Sequence, residues 1–123
     1  NIMKWEFSDD RPIYSQIVEQ MKLFIVSGEL SPGERVMPVR ELAYAAGVNP
    51  NTMQRALSEL ERMGLMSSNR TSGRFVTEDV GIIQSAKLEI ARKTITDFLS
   101  NMHKIGFDKD AVLKMIEKHL ENR

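Results

Sequence analysis

The sequence contains no cysteine, no long apolar run and no excess of charge of either sign. The absence of thiols excludes disulfides, cysteine nucleophiles and most structural zinc sites. The apolar runs are only a few residues long, so we predict neither a membrane span nor a secretory signal and expect a cytoplasmic protein with no membrane partner. The 123 residues suffice for one domain, or for a small domain with an appendage.

Charge is balanced over the whole chain but not along it. Seventeen basic and seventeen acidic residues cancel, so the total charge predicts no nucleic-acid partner. Between residues 35 and 76, six arginines against three glutamates leave a local charge of plus three. Contact with phosphate groups requires a basic patch of this kind, although an ordinary solvated surface carries similar charges. The six are Arg35, Arg40, Arg55, Arg62, Arg70 and Arg74.

The first part of the chain predicts short elements separated by proline and glycine. Residues 3–7 alternate apolar and polar side chains, which is the period of a short strand. A helix is expected after Pro12 and before Gly28, because its apolar residues fall on one stripe. A second helix, Val39 to Ala46, is expected to end at Gly47. The stripe of the first helix consists of Ile13, Ile17, Met21, Phe24 and Ile25.

A third helix follows after a short turn and begins at Pro50, with Asn49 as its expected N-cap. Two helices joined by such a glycine-containing turn match the helix-turn-helix pattern. Two extended segments, residues 65–68 and 74–77, then flank a polar loop with a glycine and predict a β-hairpin. This order of elements predicts a winged helix-turn-helix domain over residues 1–78.

The remaining residues, 79–123, predict two helices separated by a break at Gly106, with Asp108 as the N-cap of the second. A tail of this length is too small to form an independently stable domain with an enclosed ligand pocket. Its apolar faces therefore need a partner. They can fold back on the winged helix, but a homodimer is favoured. The predicted fold is therefore mainly α with a small β-hairpin wing and a two-helix dimerisation tail. The expected dimerisation residues are Ile83, Ile90, Phe98, Leu99, Met102, Val112, Ile116 and Leu120.

The third helix has an apolar face and a polar front end. Its apolar residues recur at helical spacing and are expected in the core. Its polar residues lie in the first turns, where a recognition helix presents side chains to base edges. The core face comprises Met53, Ala56, Leu57 and Leu60. The polar group comprises Asn51, Thr52, Gln54 and Arg55.

Two plainer interpretations of these polar residues stay open. Asn49, Asn51 and Thr52 are also the residue types that cap a helix. Arg55 has Glu59 four residues further on, at the spacing of a helical salt bridge.

Five segments resemble successive signatures of the GntR family of bacterial transcription regulators. They keep the family's order and together span residues 12–77, which makes the resemblance specific. The tail is similar to that of the YtrA subfamily, whose members carry a short helical tail. In chain order the segments are PIYSQI at 12–17, SGELSPGERV at 27–36, VREL at 39–42, GVNPNTMQRALSELERMGL at 47–65 and SGRFV at 72–76.

The resemblance implies a sequence-specific DNA-binding regulator without enzymatic activity and without a cofactor. YtrA-like proteins typically dimerise through the tail and often control transporter operons, and repression is the tendency of the family. The resemblance therefore implies a repressor that binds a palindromic operator as a homodimer. The sequence does not indicate whether a small-molecule effector binds.

The resemblance also assigns residues to the DNA. The arginine at the position of Arg40 usually reaches the DNA in this family, and a guanidinium fits both guanine edges and phosphates. Arg35 is expected to contact a phosphate or to be a plain surface charge. Arg70 and Arg74 flank the tip of the wing and can follow the backbone or the minor groove. Asn49 and Thr71 complete the predicted DNA-binding set.

Two positions depart from the family pattern. Residues 36–38 are Val-Met-Pro where members commonly have Leu-Pro-Ser, so we expect the start of the second helix to differ by one residue from that of other members. Thr71 stands where members often have glycine. It therefore stays open whether the backbone at Thr71 approaches the minor groove closely.

Two other classes of protein are less favoured. The histidines, His103 and His119, lack metal-binding spacing, and no glycine-rich phosphate loop accompanies them. Asp108 and Asp110 are better explained by helix capping than by acid-base catalysis. A winged helix that binds only proteins should show more aromatic and methionine anchors than the arginines and amides found here.

Overall fold

The computed structural model describes residues 3–122 and confirms the predicted fold class. Within that range the chain forms five helices and one two-stranded sheet, and the second helix has the predicted bounds. The elements are α1 (Ile13–Val26), α2 (Val39–Ala46), α3 (Pro50–Arg62), β1 (Met66–Asn69), β2 (Gly73–Val76), α4 (Val80–Lys104) and α5 (Lys109–Glu121).

The core of the N-terminal part lies between α1, α2 and α3. α3 contributes the four residues predicted for its core face, and none of them is exposed to solvent. They meet Ile17 and Met21 of α1 and Leu42 of α2, which are equally buried. Burial of each such large apolar side chain contributes about 1.5–3 kcal/mol, so this contact fixes α3 against its neighbours.

Residues 3–7 form no strand, so that prediction is wrong. The alternation itself is meaningful, because the three apolar side chains of this segment pack against the core. The backbone of Glu6 is bonded to the side-chain amide of Gln20, which accepts from Glu6 N at 3.0 Å and donates to Glu6 O at 2.5 Å. A side chain of α1 therefore satisfies the backbone groups that a neighbouring strand would otherwise satisfy.

β1 and β2 form an antiparallel hairpin in which Met66 lies opposite Val76 and Asn69 lies opposite Gly73. Each strand is displaced by one residue from its predicted range. Leu65 lies in the turn that follows α3, where its N–H donates to the carbonyl of Leu60 at 3.0 Å. The hairpin therefore follows α3 almost without a linker.

The loop before α2 pairs with β2, a contact that the sequence did not predict. The N–H of Gly33 donates to the carbonyl of Val76 at 3.0 Å, and the N–H of Val76 donates to Glu34 at 2.9 Å. The N–H of Val36 donates to the carbonyl of Arg74 at 2.8 Å. These bonds fasten the hairpin to the segment that leads into the helix-turn-helix.

The chain divides into two compact units at Ala86 and Lys87. Ile82, Ile83 and Ala86, from the first turns of α4, pack against the core of the first unit. The first unit therefore extends beyond residue 78, where we placed the domain boundary. Ile83, which we expected at a dimer interface, is partly buried against this core, and its place at an interface stays a prediction.

The second unit contains the rest of α4 and all of α5. Gly106, at φ 98°, lets the chain turn, and Asp108 caps α5 by accepting from Ala111 N at 2.9 Å, as predicted. Val112 is buried within the single chain, whereas most other large apolar residues of this unit are exposed. Between residues 3 and 122, no helix combines the length and the apolar character that crossing a membrane requires.

Candidate nucleic-acid interface

The turn between α2 and α3 is set by a glycine and an asparagine. Gly47 adopts a left-handed conformation at φ 72° and ψ 32°, and the N–H of Val48 then donates to the carbonyl of Ala43 at 3.0 Å. Asn49 caps α3, because its Oδ1 accepts from Asn51 N at 2.7 Å. The cap predicted at Asn49 is thereby confirmed. Its side-chain amide donors have no protein partner within the described residues.

The predicted reading edge of α3 faces solvent. Asn51, Gln54 and Arg55 are exposed, and Thr52 is half-buried. The Nε2 of Gln54 donates to the Oγ of Ser58 at 3.2 Å, one turn further along the same helix. The amide and guanidinium groups on this edge can bond to base edges and phosphates, while the opposite face is held in the core.

Arg55 contacts an aromatic ring and not the carboxylate that we considered for it. Its guanidinium lies over the ring of Tyr14, with Cζ 4.1 Å from the ring centroid. Glu59 is occupied by Arg62, whose Nε donates to Oε1 at 3.1 Å and whose Nη2 contacts Oε2. The hydroxyl of Tyr14 also donates to Glu59, at 3.4 Å.

The contact between Glu59 and Arg62 stabilises both charged forms. The hydrogen bond from Arg62 lowers the pKa of the Glu59 carboxyl, and that carboxylate raises the pKa of Arg62. Both groups therefore remain ionised at neutral pH. Arg62, which lies at the opposite end of α3 from the reading edge, is therefore a charged group that already has a carboxylate partner.

Arg40 lies in the first turn of α2 and is exposed. Within residues 3–122 its guanidinium has no salt bridge or side-chain hydrogen bond. An unpaired arginine of this kind has its full set of donors free for a guanine edge or a phosphate.

The side chain of Arg35 lies against the hairpin beside Gly73. Its backbone bridges to Phe75, and its side chain passes so close to Gly73 that an added Cβ would lie 3.1 Å from Nε. Gly73 also has φ 106°, a conformation that disfavours other residues. The glycine therefore permits both the shape of the hairpin and the position of Arg35.

The tip of the wing presents Arg70 and Thr71 to solvent. The Oδ1 of Asn69 accepts hydrogen bonds from the backbone N and the Oγ1 of Thr71, both at 3.0 Å, and so organises the turn. Since no residue other than glycine has a positive φ in the described chain, this tip does not require a glycine at Thr71. The departure from the family pattern is thus compatible with an ordered wing.

Arg74 differs from Arg70 in its surroundings. Its Nε donates to Oε1 of Glu61 at 2.8 Å, and the side chains of Arg74 and Glu61 are only 16% and 27% exposed. We predicted that both arginines flank the tip and follow the DNA backbone or the minor groove, and Arg74 is the one that already has a carboxylate partner. A contact of Arg74 with DNA stays a prediction.

The structure brings two of the predicted residues, Arg35 and Arg74, together with Asn69, which was not predicted. Arg35, Asn69 and Arg74 line one shallow hollow between the hairpin and the start of α2, next to Val39. The sequence did not reveal the roles of Tyr14, which contacts Arg55, and of Glu61, which pairs with Arg74. Tyr14 lies within the segment PIYSQI, but neither residue has a local signal that reveals its distant partner. No group of three metal-binding side chains occurs within the described part of the chain.

Helix, turn, reading helix and hairpin together define a winged helix-turn-helix domain of the DNA-binding class. Residues 13–76 match the sequence model of the family described as "Bacterial regulatory proteins, gntR family". The chain belongs to this GntR family, whose members are transcriptional regulators and not enzymes.

Two relatives from Bacillus subtilis align over most of the chain. The uncharacterized HTH-type transcriptional regulator YhcF is 36% identical over 116 residues, which are 94% of this chain and 96% of YhcF. The HTH-type transcriptional repressor YtrA is 31% identical over 108 residues, covering 87% of this chain and 83% of YtrA. The similarity thus includes the tail and makes the predicted YtrA-like subfamily plausible.

Two solved structures extend the comparison. A GntR family transcriptional regulator from Listeria monocytogenes has a TM-score of 0.84 and 38% identity, over 91% of this chain and 98% of that one. The DNA-binding domain of AraR, in complex with operator ORX1, has a TM-score of 0.56 and 26% identity, over 63% of this chain and 99% of that one. A domain of this fold and family therefore binds operator DNA.

Proposed function

We propose that this protein is a transcriptional repressor that binds an inverted-repeat operator as a homodimer. The front end of α3 would enter the major groove, and the wing would contact the flanking backbone or minor groove. The observation that carries the proposal is the combination of an exposed polar reading edge on α3 with an unpaired apolar tail. The reading edge would bind one half-site, and the tail would pair two chains so that they bind two half-sites related by symmetry.

The reading residues are proposed from their exposure and chemistry. Asn51 and Gln54 can each bond to adenine in a bidentate way, and Arg40 suits guanine. Thr52 and Asn49 lie at the same end of α3, where short polar side chains bond to bases or phosphates. The remaining proposed contacts are with the backbone and come from Arg35, Arg55, Arg70 and Thr71.

The dimer is proposed from the surface of the tail. Ten large apolar side chains between residues 87 and 122 are at least 37% exposed in the single chain. An apolar surface of this extent is typical of a protein interface, and a second copy of the same chain satisfies it symmetrically. The ten are Leu88, Ile95, Phe98, Leu99, Ile105, Phe107, Leu113, Met115, Ile116 and Leu120.

We assign tail residues to the proposed interface according to their exposure in the single chain. Phe98, Leu99, Ile116 and Leu120 are exposed, and they form the centre of the proposed surface. Ile90 and Met102 are half-buried and are proposed at its margin. Val112 is buried already in the single chain, so we assign it to the internal support of the tail.

The biological role is proposed from the relatives. YtrA of Bacillus subtilis bears the name of a repressor, and the resemblance to its subfamily favours control of a transporter operon. Such a regulator acts where bacterial DNA lies, so we place the protein in the cytoplasm.

The tail gives a direct test of the proposal. Leu99 and Ile116 are both exposed, so Leu99→Glu and Ile116→Glu place charges on the proposed interface, and both variants should sediment as monomers. They should also bind an inverted-repeat duplex no better than a single half-site, because the second recognition helix is lost. Ser100→Glu, at an exposed polar position of α4 next to Leu99, is the matched control. If Leu99→Glu and Ile116→Glu both remain dimers and bind the duplex with unchanged affinity, the proposed interface is wrong.

A further inference from the structure

We propose that the ion pair between Glu61 and Arg74 is a positioning device that fixes the wing against the recognition helix. Arg74 then acts on operator binding through Glu61 and not by touching DNA. The inference rests on the proposed DNA-binding function and adds to it a residue, Glu61, that would contact no nucleotide.

The geometry of the pair is that of a specific contact. Nε of Arg74 and Oε1 of Glu61 are 2.8 Å apart, which is the distance of a charge-assisted hydrogen bond. Arg74 is only 16% exposed, so solvent screens this pair less than it screens Lys93 and Asp97, whose side chains are 75% and 60% exposed. The pair is therefore partly buried, and its attraction is screened less than that of an ion pair exposed to solvent.

The pair joins the two elements whose relative position matters for reading DNA. Glu61 lies in the last turn of α3, and Arg74 is the second residue of β2, close to the tip that carries Arg70. The other bonds of β2 run to β1 and to residues 33–36, not to α3. Within the described chain, the hydrogen bond to the Glu61 carboxylate is the polar contact that connects β2 directly with α3.

The charge of Glu61 argues against a direct phosphate contact by Arg74. A carboxylate 2.8 Å from the guanidinium neutralises it and would repel an approaching phosphate. If Arg74 bound phosphate, removal of the carboxylate by Glu61→Gln would strengthen DNA binding. If the pair positions the wing, the same substitution weakens binding.

The charge-swap experiment separates these two roles. The unaltered protein is first used to select a duplex from random sequence. The affinity for that duplex is then measured for full chains that carry Arg74→Glu, Glu61→Arg or both changes. Each single change should weaken binding about tenfold or more, since it places like charges together, and the double change should restore affinity to within about threefold. Failure of the double variant to recover would overturn the inference, because a glutamate cannot replace an arginine at a phosphate.

The salt dependence of binding provides a second readout. A side chain that contacts a phosphate changes the slope of log K against log salt by about 1 when it is removed. The recovered double variant should keep the slope of the unaltered protein, whereas Arg70→Ala, the matched control at the free wing arginine, should lower it. A slope reduced equally in both would assign Arg74 to the phosphate and overturn the inference.

A measurement without DNA keeps this inference separate from the proposed function. Arg74→Ala should increase the mobility of the hairpin amides in NMR relaxation, whereas Arg70→Ala should not, because only Arg74 is bonded to α3. An unchanged hairpin in Arg74→Ala would overturn the positioning role even if operator binding is confirmed. If no duplex is selected at all, the proposed function fails, and the relaxation result still decides the role of the pair.

Discussion

The guanidinium of Arg55 stacks on the ring of Tyr14, with 4.1 Å between Cζ and the ring centroid. Tyr14 lies in the first turn of α1, and Arg55 lies on the exposed side of α3. The contact therefore connects the helix that supports the domain with the helix that we propose to read DNA. It also restrains the long, flexible side chain of Arg55 in the free protein.

The first prediction separates the ring of Tyr14 from its hydroxyl. Tyr14→Phe keeps the ring and loses the long bond to Glu59, so the free energy of unfolding should fall by less than about 1 kcal/mol. Tyr14→Leu also loses the cation–π contact, which is worth about 0.5–1 kcal/mol at exposed sites. Denaturant unfolding of both variants measures the difference. Equal stabilities would show that the stacking contributes nothing.

The second prediction concerns Arg40. Because its guanidinium is exposed and unpaired within the described chain, Arg40→Ala should weaken operator binding by about 1–3 kcal/mol and reduce discrimination between operator variants. Arg92→Ala, at an exposed position of α4, is the control and should leave affinity unchanged. A binding titration that finds Arg40→Ala equal to the unaltered protein would remove Arg40 from the interface.

The third prediction concerns the turn of the helix-turn-helix. An added Cβ at Gly47 would meet no atom within 4 Å, so Gly47→Ala tests backbone strain alone. At φ 72° this strain should cost about 1–2 kcal/mol of stability. Gly47→Asn is the control and should cost less, because asparagine tolerates the left-handed conformation. Thermal unfolding measures both, and an equal loss in the two variants would point to a cause other than strain.

Local signals explain why so much of the fold could be predicted. The glycine at the turn, the cap at Asn49 and the apolar stripe of α3 each depend on residues a few positions apart, so the sequence displays them directly. The same holds for the cap at Asp108. These features were enough to place the helix-turn-helix, the hairpin and the two tail helices.

Contacts between distant residues could not be predicted in the same way. The stacking of Tyr14 on Arg55, the ion pair of Arg74 with Glu61 and the amide of Gln20 that bonds Glu6 all depend on how the helices pack. Arg74 illustrates the consequence, because its position beside the wing tip suggested a free cation while tertiary packing gave it a carboxylate. The alternation of residues 3–7 correctly indicated which side chains are half-buried, yet the backbone of this segment pairs with a helix and not with a strand.

The central claim is that two copies of this chain read two halves of one operator. Sedimentation equilibrium of the protein with an inverted-repeat duplex, selected from random sequence, tests it most directly. The account predicts two chains per duplex, and binding that weakens steeply as salt rises, because several arginines release counterions. One chain per duplex at full affinity would contradict the account.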